Sequence, residues 1–83
     1  MTPVKREQYT VINDRKVRHS PTGATFSVYE YKDPTVDPCS TVRINWGRAG
    51  DVLASGEDYD RNEIGGMACD ILRELARKRV PQQ

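Results

Sequence analysis

The sequence predicts an α+β fold, a small antiparallel β-sheet of three to four strands packed on one face by a single C-terminal α-helix. Three observations lead there. An apolar stripe of helical period runs through residues 64–76, a turn signal at residues 20–23 separates two alternating segments, and a third alternating segment spans residues 41–46.

The helix is the clearest element. Ile64, Met67, Ala68, Ile71, Leu72, Leu75 and Ala76 recur three or four residues apart and so line one face of a helix. Asp60, with Glu63 three residues on, is a variant of the capping box and marks the start. Asp58, Asp60 and Glu63 lie where the helix dipole favours anions, and Arg73, Arg77, Lys78 and Arg79 where it favours cations. Pro81 cannot continue the helix, which therefore ends near Arg79 or Val80. Gly65 and Gly66 in the first turn cost about 1–2 kcal/mol relative to alanine, and the expected compensation is a close approach of helix to sheet.

The strands follow from alternation. Ser20-Pro21-Thr22-Gly23 suits a type I turn, with Ser first, Pro second and Gly fourth. The hairpin around it pairs His19 with Ala24, Arg18 with Thr25, Val17 with Phe26 and Lys16 with Ser27. This register puts Val17, Ala24, Phe26 and Val28 on one face. In Thr41–Trp46, Val42, Ile44 and Trp46 point one way and Thr41, Arg43 and Asn45 the other. Residues 33–40, DPTVDPCS, read as a loop or crossing, and residues 9–12, YTVI, as an N-terminal edge strand. After Trp46, Gly47-Arg48-Ala49-Gly50 makes a turn, Asp51–Ala54 returns as a short strand or extended piece, and Ser55–Tyr59 leads into the helix cap. The expected core is Trp46, Phe26, Ile44, Val42, Ile71, Leu72 and Leu75. Residues 1–83 make one domain, with 1–8 and 80–83 expected as loose ends.

Composition bounds the function classes. At 36% hydrophobic and 30% charged residues the chain is too apolar and too balanced in charge to be disordered throughout. No apolar run approaches a membrane span, the first ten residues hold no hydrophobic signal region, and the expected compartment is the cytoplasm. The net charge of +1 is uneven: +3 over residues 1–32, −4 over 33–63 and +2 over 64–83. A strong polyanion binder is usually more basic overall, yet two basic segments around an acidic middle allow one locally basic face.

Motifs for catalysis or metal binding find little support. Cys39 and Cys69 form no CxxC or zinc spacing and are expected as two reduced thiols rather than a disulfide. His19, the sole histidine, falls on the core face near a turn and reads as a packing residue, not a general base. Gly47-x-x-Gly50 lacks the context of a phosphate loop. Asp58-Tyr59-Asp60-Arg61-Asn62 opens like a calcium loop, but Glu63 stands where that loop needs Gly and Cys69 where it needs Glu. Glu30 and Asp33 could act as acid and base, but nothing singles them out among surface carboxylates.

What remains is a binding surface. The non-core face of the sheet collects Lys16, Arg18, Thr25, Ser27, Tyr29, Arg43 and Asn45, with Tyr31 in the same row. Cations beside an aromatic platform suit a nucleic acid, although an antiparallel sheet covered on one side always shows a polar other face. The order of strands followed by one helix is similar to that of small strand-reading DNA-binding domains of the integrase type, a likeness of element order alone. The expectation is thus a small cytosolic, non-enzymatic accessory or interaction protein. The alternative is a nucleic-acid-binding module using Lys16, Arg18, Tyr29 and Arg43. The expected partner is another protein, with nucleic acid second and self-association open; no membrane, cofactor or metal is expected.

Overall fold

A computed structural model describes residues 2–28 and 37–79. In chain order these form β1 (Tyr9–Asn13), β2 (Lys16–His19), β3 (Ala24–Val28), β4 (Val42–Asn45) and α1 (Arg61–Arg79), with short 3₁₀ turns at Arg6–Gln8 and Pro38–Thr41. The four strands make one antiparallel sheet in the order β1-β2-β3-β4, and α1 packs against one side of it.

The central hairpin has the register that alternation demands. Lys16 pairs with Ser27, Val17 with Phe26, Arg18 with Thr25 and His19 with Ala24. The turn differs in one bond. The Gly23 N–H donates to the carbonyl of His19, one residue before Ser20, at 2.8 Å. Gly23, at φ 76°, takes the left-handed conformation this wider turn requires.

The helix stripe forms as expected. Ile64, Ala68, Ile71 and Leu72 are buried, and Met67 and Leu75 are partly buried at its margins. The Asp60 carboxylate accepts from the Asn62 N–H at 2.8 Å, capping the first turn. The glycine pair behaves otherwise. A Cβ on Gly65 would rest 3.7 Å from the Trp46 ring, an ordinary contact, and one on Gly66 would meet nothing within 4 Å. Close approach to the sheet therefore does not account for Gly66, which faces solvent.

The core is centred differently from the sequence expectation. Val17, Ala24, Phe26, Val28, Ala49, Tyr59, Ile64, Ala68, Ile71 and Leu72 are its buried apolar members. Phe26, Ile71 and Leu72 belong there as expected, whereas Trp46, Val42 and Leu75 are only partly buried. Ile44 is 39% exposed although it sits directly opposite Phe26 on the same face. The reason is coverage: α1 lies over β2 and β3, and β4 is the sheet's edge.

Trp46 follows β4 rather than ending it. Its ring meets Phe26 edge-on, with centroids 5.6 Å apart, and the Arg61 guanidinium lies 5.7 Å from its own centroid. Arg61 Nε also donates to the Ala49 carbonyl at 2.8 Å, tying the Gly47–Gly50 turn to the start of the helix. Gly47 and Gly50 have positive φ, and a side chain at Gly47 would drive into the Thr22 carbonyl at 2.7 Å. Residues 51–54 form no return strand, because the Leu53 N–H bonds back to the Glu57 carbonyl in a local turn.

The N-terminal segment is held rather than loose. The Thr2 N–H donates to the Asp58 carbonyl at 2.7 Å, the Tyr9 hydroxyl to the Ile64 carbonyl at 2.5 Å, and Arg6 pairs with Glu74. Residues 80–83 lie outside the described residues.

Candidate binding face

The strand register puts eight side chains on the face away from the helix, in two rows that cross all four strands. One row is Asn13, Lys16, Ser27 and Arg43, and the other is Thr10, Arg18, Thr25 and Asn45. Their neighbours Val17, His19, Ala24, Phe26 and Val28 point the other way and are buried. Arg18, Arg43, Thr10, Asn13 and Asn45 are exposed, and Lys16, Thr25 and Ser27 are half-buried.

The expected binding residues Lys16, Arg18 and Arg43 thus do share one surface. Lys16 and Arg18 are two residues apart on β2, and Arg43 lies two strands away, roughly 10 Å at ordinary strand spacing. Tyr29, the expected aromatic, lies outside the described residues, as do Tyr31, Glu30 and Asp33. Thr10 and Asn13 extend the rows onto β1; they escaped the sequence reading because residues 9–12 carry no turn signal that sets a register.

The eight side chains carry three cations and no carboxylate. The acidic segment of residues 51–63 runs on the helix side. Tyr59, in its middle, is buried edge-on against His19, with ring centroids 4.9 Å apart. The nearest acid in sequence is Asp14, in the tight β1–β2 turn, where Asn13, Asp14, Arg15, Lys16, Ser27 and Val28 line an open, shallow depression.

His19 is fully buried and committed to structure. Gln8 Nε2 donates to the Pro3 carbonyl at 3.3 Å, which leaves Gln8 Oε1 to accept from the Lys5 N–H and from His19 Nε2, both at 3.0 Å. His19 Nε2 therefore carries the ring proton. His19 Nδ1 then accepts from the Thr22 hydroxyl at 2.8 Å, and Thr22 in turn accepts from the Ala24 N–H at 3.3 Å. Burial lowers the pKa of His19, opposed in part by the charge of Glu57. A neutral ring with both nitrogens bonded inside the protein has no atom left to accept a substrate proton.

A second cluster lies where the Pro38–Thr41 turn packs on α1. Arg73 donates to both oxygens of Asp37, Nε to Oδ1 at 3.1 Å and a terminal nitrogen to Oδ2 at 3.0 Å. Asp37 Oδ1 also accepts from the Cys39 N–H at 3.1 Å. These bonds with Arg73 and Cys39 hold the Asp37 carboxyl below the usual aspartate range. Cys39 and Cys69 are both free, partly exposed thiols, and their side chains are neighbours. Their spacing in the sequence, with no CxxC or zinc pattern, does not connect them. The signal that links them is Arg73, one helical turn beyond Cys69, paired with Asp37, two residues before Cys39.

Comparison with protein-family models, curated proteins and solved structures finds no match to this chain. No helix among the described residues is long and apolar enough to cross a membrane.

Proposed function

We propose that the chain is a non-enzymatic interaction protein of the cytoplasm that receives its partner on the uncovered sheet face. One observation carries this reading: two cross-strand rows present Lys16, Arg18 and Arg43 among Ser, Thr and Asn side chains, with no carboxylate among these eight described residues. Such a surface attracts an anion and offers it hydrogen-bond donors at strand spacing. The commitment of His19 to the interior supports the non-enzymatic part of the reading.

Among anionic partners, the surface suits a single-stranded nucleic acid held by its phosphates. Phosphate contacts come from Arg, Lys, Ser, Thr and Asn, the residue types of these rows, and they position a strand without reading its sequence. The acidic segment lies on the other side of the sheet and does not repel the strand.

Titration with labelled oligonucleotides at low salt tests the reading. Saturable binding should weaken as salt rises, with a log–log slope of about −0.7 per phosphate contact. Arg43→Ala should reduce that slope by about one contact. No saturable binding up to high micromolar protein would end the nucleic-acid reading and leave an acidic protein surface as the partner to seek.

A further inference from the structure

We infer that Cys39 and Cys69 form a reversible dithiol–disulfide site, whose oxidant is a low-molecular-weight disulfide of the glutathione type and whose oxidised form staples the Pro38–Thr41 turn to α1. The pair is built by the fold, since 29 residues separate the two cysteines in sequence. The Asp37–Arg73 fork fixes their approach. Asp37 holds the Cys39 amide, Arg73 stands one turn from Cys69 on the same helix face, and the two side chains are joined by two parallel hydrogen bonds. The thiols meet beside this clamp, and both are partly exposed, so a small oxidant reaches them without unfolding. Nothing in the candidate binding face uses either residue.

The order of steps follows from the surroundings of Cys39. Burial, then the adjacent Cys69, push the Cys39 thiol up to about 12 and so disfavour its thiolate as the first nucleophile. The Cys69 thiolate attacks one sulfur of the oxidant. The oxidant's S–S bond breaks, one thiolate leaves and takes a proton from water, and Cys69 carries a mixed disulfide. Cys39 then gives its proton to water and attacks the Cys69 sulfur, expelling the second thiolate. The protein loses two protons and two electrons, and the oxidant becomes two thiols. Cytosolic disulfides are characteristically transient, which suits a site that opens and closes with the thiol pool.

The full-length protein, equilibrated in glutathione buffers of rising oxidised fraction and then alkylated, tests this by intact mass and peptide mapping. The expected product is a monomer lighter by two hydrogen atoms, with no alkylatable thiol and with the Cys39 and Cys69 peptides joined. Its melting temperature should rise by about 10 °C or more, as expected for closing a loop of this length. Cys39→Ser should stop at a glutathione adduct on Cys69. Asp37→Asn should let the wild-type sequence of steps stall at the same adduct, because the clamp that presents Cys39 is gone. A persistent glutathione adduct on the unaltered protein, disulfide-linked dimers, or two thiols that survive an oxidising buffer would each overturn the inference.

Discussion

Val17 and Val11 face each other across β2 and β1, and Phe26 and Ile44 across β3 and β4. In each pair both residues lie on the helix side of the sheet, yet the burial is opposite. Val17 and Phe26 are 0% exposed, while Val11 is 50% and Ile44 39% exposed. The cause is the width of the cover. Four strands span roughly 14 Å from outer strand to outer strand, and one helix with its side chains is about 10–12 Å across. α1 lies over the two middle strands, so β1 and β4 carry apolar residues on the correct face with little above them. Alternation settles which face a residue occupies; only tertiary packing settles whether that face is covered.

The largest effect tests the covered middle. Leu72→Ala, on the buried face of α1, should destabilise by about 2–5 kcal/mol, and in so small a domain the variant stands near unfolding. An unchanged melting temperature would mean that the wrong helix face is buried.

Val17→Ala and Val11→Ala sharpen the comparison, since the two valines are direct cross-strand partners. Urea denaturation should give a loss of about 2–3 kcal/mol for Val17→Ala and about 1 kcal/mol or less for Val11→Ala. Equal losses would show that the edge is as covered as the middle.

A smaller effect comes from pH. Burial lowers the pKa of His19 in the folded protein, so folding favours the neutral ring. The stability that this neutral ring contributes is fully present above its unfolded pKa of about 6.5 and is lost as pH falls through the folded value. The urea midpoint should therefore drop between about pH 7.5 and pH 5, where few carboxylates titrate. A flat profile would mean that the ring charges in place and that the Gln8–His19–Thr22 chain is not closed.

The smallest expected change is a gain. Gly66 has open space where a side chain would go, so Gly66→Ala should stabilise the helix by about 0.5–1 kcal/mol. Thermal melts would show it, and a loss would restore the close helix–sheet approach that the glycine pair suggested.

Much of this fold was legible from the chain because its signals are local. The Lys16–Ser27 hairpin register follows from period-two alternation around Pro21 and Gly23, and the helix from a stripe that recurs over three turns. That Lys16, Arg18 and Arg43 share a face follows from the same alternation. What escaped is non-local. Tyr59 stands between two aspartates and reads as polar lead-in, yet it is buried because His19 waits across the sheet end. Ordering of residues 2–8 depends on contacts with Asp58, Ile64 and Glu74. The Cys39–Cys69 pair depends on how the Pro38–Thr41 turn lands on α1, and no spacing in the sequence encodes that.

The central claim is that the uncovered face, not the helix or the acidic segment, receives the partner. Backbone amide NMR of the labelled protein, titrated with a single-stranded oligonucleotide at low salt, tests it most directly. The prediction is shifts that saturate and concentrate at Thr10, Asn13, Lys16, Arg18, Thr25, Ser27, Arg43 and Asn45. Saturating shifts confined to α1 or residues 51–63 would contradict it.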